Sequence, residues 1–374
     1  MRPTYEVADV IERNTSQLDD LVPNRWNRRT LYAIASCRTA RLGWHLDKCT
    51  NKKCGNIHIS YNSCRNRHCP KCQGHKREEW IRAREAELLK VPYYHVVFTL
   101  PQELNSLCLY EPEEMYHLLF KTAWSVIKGF AANAKFLGAA TGMVAILHTW
   151  GQNLSLHPHL HCIVPGGGVT AGNKWKQARG RDKYLFPVKA MSKVFSAQFV
   201  EGLRKTELSS QLDFKQLFDK NWVVYCKRPF FGPTQVVEYL GRYTHKIAIS
   251  NHRIKSIDNY SVTFSAKDYR HAGKKYPVTL TDAEFIRRFA MHILPKGFTR
   301  IRHYGILSNS LKKAVIDQVQ QELGVPDLPQ RPPLKHRLCY HCGVGKLLII
   351  AVFKSRGPPW YSQSKAFKKR KSQN

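Results

Sequence analysis

LHPHLHCIV, residues 156–164, is the stretch on which the reading of this chain turns. Histidines at every second position alternate with apolar residues, the period of a β-strand with one face buried. On a strand, residues i and i+2 share a face. His159 and His161 then stand about 6.6 Å apart along it, close enough for two imidazoles to converge on one cation. His157 and His161 are about 13 Å apart by the same rise, so all three cannot share a metal unless the strand bends. Pro158 makes the start of the strand irregular. His159 and His161 are therefore the expected ligand pair, with Leu160 packing into the core behind them. A His-x-His pair on its own is more often structural, so its weight depends on its surroundings.

Those surroundings alternate between strands and helices. YYHVVFTL (Tyr93 to Leu100), Met143 to Trp150 and Trp222 to Cys226 are rich in β-branched and aromatic residues and read as strands. Ile247 to Ile254 and Tyr260 to Ser265 read as a hairpin. Glu113 to Phe136 is helical, with Met115, Leu118, Leu119, Val126 and Phe130 near the 3.6-residue period. Val194 to Leu208 and Asp282 to Ile293 are also expected to be helices. So is Pro233 to His245, whose proline suits a first helical turn. Together these predict a mixed α+β domain over residues 91–310. Ahead of it, residues 1–90 comprise a helical lead-in, a polar cysteine-rich segment and a charged helix, His75 to Lys90, closed by Pro92. Residues 311–374 read as a loosely organised basic region, with a proline-rich linker from Pro326 and a tail in which five of the seven residues from Lys365 to Lys371 are Lys or Arg.

Charge narrows the partner. The 374 residues carry 60 Lys and Arg against 27 Asp and Glu, a formal net charge of +33. An ordinary metabolic enzyme has no use for such an excess. A polyanion is the natural partner, either nucleic acid or an acidic membrane surface. The longest apolar run, Leu347 to Phe353, is seven residues, and the N-terminus MRPTYEVADVIERN has no apolar core. Neither a spanning helix nor a secretory signal is expected, which points to the cytoplasm and to DNA or RNA before membrane. In a reducing compartment the 11 cysteines read as metal ligands or buried thiols, not as disulfides.

Six of those cysteines fall within residues 37–75. Cys69-Pro-Lys-Cys72 has the spacing of a zinc knuckle, and Cys49 with Cys54 lies within the usual loop range. These four make a ribbon-type Cys₄ site. A second, interleaved set, Cys37, His45, Cys64 and His68, stays open beside it. So short a segment has little core of its own, and bound metal would supply its folding energy. Arg65, Arg67 and Lys71 lie among these ligands and suit a nucleic-acid contact. Cys339-Tyr-His-Cys342 repeats the knuckle spacing without an obvious partner pair.

PTQVVEYLGRYTHKI, residues 233–247, places Tyr239 and Tyr243 one turn apart on one helix face. Val236, Tyr239, Leu240 and Tyr243 also form the i, i+3, i+4, i+7 stripe that ordinarily means core. Gly241 departs from that reading, because glycine inside a helix costs roughly 1 kcal/mol relative to alanine. A glycine there admits a DNA backbone, with Arg242 available for a phosphate.

Four motifs together give the chain a family likeness. YNSCRNRHCPKCQ (Tyr61 to Gln73), HVVFTLP (His95 to Pro101), HPHLH (His157 to His161) and YLGRYTHKIAISNHRI (Tyr239 to Ile254) occur in this order. In them the chain resembles the two-tyrosine HUH rolling-circle transposases of bacterial insertion sequences, family ninety-one in the usual numbering, over roughly residues 25–310. Two departures stand out. Cys49 and Cys54 are further apart than the family's two-residue gap, and CYHC replaces a more usual Cys-Pro-x-Cys. The resemblance implies an α+β fold: an antiparallel-sheet HUH endonuclease core with helices on one face, preceded by a small zinc-stabilised module. It implies Mg²⁺ or Mn²⁺ on His159 and His161, with the third ligand open among Gln152, His157 and Glu238, and Zn²⁺ in the N-terminal domain. It also implies cleavage and joining of single-stranded or hairpin DNA ends and target DNA through a 5′-phosphotyrosine on Tyr239 or Tyr243. No ATP is expected, in keeping with the lack of a GxxxxGK[ST] loop. A replication initiator with the same nicking chemistry, and a non-catalytic zinc regulator of nucleic acids, are the alternatives.

Overall fold

The histidine run folds as the middle strand of a five-stranded antiparallel sheet. The structure, a computed structural model, describes residues 3–179, 185–211, 213–230, 236, 241, 246–269, 271–327, 338–353 and 360–361. The strands in chain order are β1 (Trp44–Cys49), β2 (Ile57–Tyr61), β3 (Tyr93–Thr99), β4 (Gly142–Trp150), β5 (Leu156–Pro165), β6 (Gly167–Val169), β7 (Trp175–Gln177), β8 (Val224–Phe230), β9 (Ile254–Asp258), β10 (Ser261–Asp268), β11 (Lys274–Thr281), β12 (Ile301–Gly305), β13 (Leu347–Phe353) and β14 (Trp360–Tyr361). The helices are α1 (Val7–Arg13), α2 (Leu18–Leu21), α3 (Arg25–Ala35), α4 (Pro70–Glu85), α5 (Asn105–Tyr110), α6 (Pro112–Ala132), α7 (Val188–Arg204), α8 (Phe214–Phe218), α9 (Asp282–Met291) and α10 (Lys312–Leu323). The fold is mixed α and β, and among the described residues every strand pairing is antiparallel.

Contacts divide the chain into two units. The first is 1–78, 249–290 and 330–374; the second is 79–248 and 291–329. Divisions at 90/91 and 310/311, expected from sequence order, assume contiguous domains, whereas the first unit gathers three separated segments.

In the second unit the sheet order is β12-β4-β5-β3-β8. Strand alternation sorts its side chains. Tyr94, Val96 and Phe98 of β3, Met143, Ala145 and Leu147 of β4, and Leu160, Cys162 and Val164 of β5 bury one face against α5, α6 and α7. Pro112 opens α6, and Met115, Leu119, Phe120, Val126 and Ile127 supply its inner stripe. Tyr93, Val144, Ile146 and Ile163 point the other way, into a smaller core with Ile81, Leu88, Val236, Ile316 and Val319. Helices therefore cover one face broadly and part of the other. His95, His148, His159 and His161 share this second face by the same parity.

In the first unit, Asn24 caps α3 by accepting from the Trp26 and Asn27 amides at 2.9 and 3.1 Å. The buried carboxylate of Asp282, at the start of α9, takes a two-pronged bond from the Arg13 guanidinium and a 2.9 Å bond from Asn14. The Val7 amide donates to Asn251 at 3.1 Å. These bonds tie residues 249–290 to α1. β9, β10 and β11 form their own sheet, in which Phe264 meets Phe285 edge-on at 6.1 Å.

Three sequence expectations are corrected here. Residues 247–253 form no strand: Asn251–Arg253 make a tight 3₁₀ turn, the hairpin begins at Ile254, and Asn259 and Tyr260 take positive φ where it reverses. β11 was not foreseen, since its side chains are mostly exposed and Pro277 interrupts it, which an edge strand tolerates. The region after 311 is not uniformly loose: β13 pairs with β1, Cys49 facing Leu347 and Trp44 stacking on Phe353 at 3.8 Å.

Candidate metal centre and cysteine clusters

Three imidazoles converge on the second face of the large sheet. His148 on β4 is the direct cross-strand partner of His159 on β5, and His161 lies two residues further along the same face. One ring nitrogen from each of His148, His159 and His161 lies within 4.8 Å of the others. Nε2 of His159 and Nε2 of His161 are 3.2 Å apart. Two nitrogens sharing a cation at about 2.1 Å would be separated by roughly 3.0–3.4 Å, so the spacing fits a common ion.

Hydrogen bonds fix which nitrogen faces the centre. His159 Nδ1–H donates to the His157 carbonyl at 2.6 Å, which leaves its Nε2 with a lone pair. Nδ1 of His161 is 2.8 Å from Nε2 of His95 on β3. If His161 donates there, its own Nε2 also presents a lone pair, and a cation would select that tautomer. Burial lowers the His159 pKa to about 3, and the nearby Lys246 charge contributes to the shift. Burial likewise pushes His161 well below its ordinary value and His95 down to about 3. These rings are neutral at physiological pH, the form that binds metal. His148 is 1% exposed and lies under Trp150, with ring centroids 4.6 Å apart and planes 20° from parallel. Arg300 stands 5.3 Å over that indole and donates to the Leu147 carbonyl at 3.2 Å. Trp150, at 8% exposed, thus buttresses a histidine.

Sequence reasoning missed His148 and His95. Part of the signal was available: both sit on expected strands, and His95 opens one of the quoted motifs, but the face each shares with His159 comes from strand register. Of the weighed third ligands, His157 is exposed and offers its carbonyl to His159, and Gln152 lies in the turn after β4. Glu238, Tyr239, Arg242, Tyr243 and His245 lie outside the described residues; Val236 and Gly241 are helical.

The cysteines assemble differently from either expected set. Cys37, Cys64, Cys69 and Cys72 form one group, and Cys49, Cys54, Cys339 and Cys342 form another. In the first, Cys72 Sγ is 3.5 Å from Cys37 Sγ and 3.7 Å from Cys64 Sγ, and the Cys64 amide donates to Cys37 Sγ at 3.4 Å. Cys49 and Cys54 are therefore not brought to Cys69 and Cys72, because β1 and β2 carry them to the β13 end of their sheet. His45 is engaged with Asn62 at 2.8 Å and Asp47 at 3.4 Å, and neither it nor His68 belongs to a thiol group. Lys71 pairs with Glu6 at 2.5 Å and donates to the Cys37 carbonyl at 3.2 Å, Arg65 is exposed, and Arg67 is half-buried.

Comparison with known proteins fixes the family. Residues 142–314 match a family model described as "Putative transposase", and residues 10–100 match one described as "Transposase zinc-binding domain". The chain is 39% identical over 390 residues to "Putative transposase y4qJ" of Sinorhizobium fredii, covering 95% of this chain and 97% of that one. The chain belongs to the IS91 family of transposases. This transposase is also 28% identical to the transposase of insertion sequence element IS801 from Pseudomonas savastanoi pv. phaseolicola, over 86% of this chain and 83% of that one. Among solved structures it is similar to the conjugative relaxase TrwC in complex with oriT DNA. A metal-bound form matches at TM-score 0.24 over 62% of this chain and 72% of that one, and a copper-bound form at 0.25 over 87% and 98%; both are 10% identical. At those TM-scores the likeness carries no weight. The transposase has a zinc-binding domain that includes the whole first thiol group, but Cys339 and Cys342 of the second lie beyond it. Among the described residues, no helix is long and apolar enough to cross a membrane.

Proposed function

We propose that this transposase cleaves and rejoins single-stranded DNA at the ends of an insertion sequence, by rolling-circle transposition, using Tyr239 and Tyr243 as nucleophiles. The observation that carries the reading is the convergence of His148, His159 and His161 on one sheet face, in a chain of this family. A divalent cation there, Mg²⁺ or Mn²⁺, supplies Lewis-acid polarisation of the scissile phosphate. The chain's own residues do the rest. His157 and His95 hold two ligand rings in orientation, and Lys246 adds positive charge on the side of His159 and His161. A tyrosine oxygen attacks phosphorus, loses its proton, and becomes linked to the 5′ phosphate while the 3′-OH leaves. Bond energy is kept in that phosphotyrosine, so no ATP is consumed. Two tyrosines four residues apart in the sequence would allow two linked transfers, one on the donor strand and one on the target or returning end.

The net charge of +33 supports DNA as the partner. Arg65, Arg67 and Arg242 are proposed phosphate contacts; Lys71, held by Glu6, is a weaker one. Cys37, Cys64, Cys69 and Cys72 are proposed to hold Zn²⁺, since four thiolates at these separations suit tetrahedral zinc. The domain reading that follows is an N-terminal zinc module, a catalytic α+β core and a basic C-terminal region.

The decisive experiment incubates the protein with a labelled single-stranded element end and Mn²⁺. A denaturant-resistant protein–DNA adduct is expected. Single Tyr239→Phe or Tyr243→Phe changes should leave part of it, and the double change should abolish it. An adduct that persists in the double variant assigns the nucleophile elsewhere.

A further inference from the structure

The second thiol group plays no part in the function proposed above, and two of its members lie outside the zinc-binding match. We propose that Cys49, Cys54, Cys339 and Cys342 form a second structural zinc site, which staples β13 to the β1–β2 hairpin.

Distances carry the first part of the argument. Cys49 Sγ is 3.7 Å from Cys342 Sγ, and Cys54 Sγ is 3.9 Å from Cys339 Sγ. A tetrahedron with metal–sulfur bonds of about 2.3 Å has edges of about 3.8 Å. A disulfide would need the sulfurs at about 2.05 Å, so these pairs are not spaced for one. Four thiolates select a soft tetrahedral ion, which is zinc before magnesium or calcium.

The surrounding backbone is arranged for sulfur carrying negative charge. The Asn51 amide points at Cys49 Sγ at 3.4 Å, and the Gly345 amide at Cys342 Sγ at 3.3 Å. His58 Nε2 stands 3.3 Å from Cys339 Sγ. Such donors stabilise thiolates once their protons are released to a metal. Gly345 closes the knuckle: its carbonyl accepts from the Cys339 amide at 2.6 Å, and a Cβ at this position would sit 2.3 Å from Cys49 Sγ. Only glycine leaves that sulfur its place.

The sheet itself shows why a staple is needed. β2 exposes Ile57, Ile59 and Tyr61, and β13 exposes Leu348 and Ile349. Little apolar burial stabilises this end of the unit, and metal coordination compensates for a small core. The pairing of β1 with β13 and the 2.8 Å bonds exchanged by Thr50 and Lys346 bring the two knuckles edge to edge. Coordination then joins residues 293 positions apart in the chain.

Metal analysis of the full-length protein, purified with reductant, tests this. About two zinc equivalents per chain are expected. Cys339→Ser combined with Cys342→Ser should leave about one, and Cys69→Ser combined with Cys72→Ser should also leave about one. In cobalt-substituted protein each pair should remove about half of the thiolate-to-metal absorption. A Cys339/Cys342 double variant that keeps its full zinc content overturns the proposal. Should that variant unfold and lose all metal, Gly345→Ala decides: selective loss of one zinc to a chelator supports the site, and retention of both refutes it. Adduct formation reads the histidine centre, so failure of the transposition chemistry would leave this zinc count unchanged.

Discussion

The histidine centre and the thiol groups are both candidate ligand sets, but the chain builds them by opposite routes. His148, His159 and His161 stand on neighbouring strands whose two-residue period puts them on one face. The sheet, with a large apolar core on its other side, positions those rings before any ion arrives. The thiols stand on loops, turns, the end of β1 and, for Cys72, the first turn of α4, in a unit that exposes apolar residues on β2 and β13. One set should be a rigid cradle that metal enters; the other should depend on metal to keep its shape.

Predictions follow that contrast, beginning with the largest effect. Removing two ligands with His159→Ala and His161→Ala should cut adduct formation by roughly 10³-fold or more while the far-ultraviolet circular dichroism stays the same. A comparable collapse of secondary structure would mean that the histidines are structural. His95→Ala should weaken Mn²⁺ binding by about 10–100-fold, because His161 loses the partner that fixes its tautomer. His95→Gln should recover part of it in the same titration.

Acid sharpens the comparison further. His292 is 2% exposed, with its ring between Thr149 and the Leu154 carbonyl, and burial lowers its pKa to about 4. A depressed histidine pKa means that the unfolded chain binds the proton first. Its contribution is whole above about pH 6.5 and is lost at about 1.4 kcal/mol per pH unit as the pH falls towards 4. Denaturant melts of His292→Gln should show a flatter decline across that window; an unchanged slope would show that His292 is not the source. The smallest effect belongs to the first unit. Asp282→Ala removes the carboxylate that Arg13 and Asn14 share, leaving them the Ser261 and Val10 carbonyls, and should cost about 2 kcal/mol in urea unfolding, less than a fully buried pair because Arg13 is partly solvated.

The same contrast governs what the sequence disclosed. Strand parity made His159 and His161 readable, and α6, β3, β4 and β5 fell close to their expected bounds. His148 follows the same rule from the neighbouring strand, but that it faces His159 depends on the register of β4 against β5, which no residue type announces. Thiol grouping was not readable from spacing. Knuckles such as Cys69–Cys72 and Cys339–Cys342 are local, but which knuckle meets which depends on tertiary pairing, here of β1 with β13. The position of the hairpin turn was hidden for a related reason: Tyr260 adopts positive φ despite its bulk, and nothing in its residue type announces a turn.

Pairing β1 with β13 also sets a schedule for biosynthesis. Roughly 300 residues separate the two strands, so at about 5–20 residues per second the ribosome needs on the order of 15–60 s to deliver the second after the first. During that interval the early strand has a bare edge, and a polypeptide cut short before residue 347 never covers it. A truncated copy therefore leaves β1 open on that side to pairing with a strand of another chain.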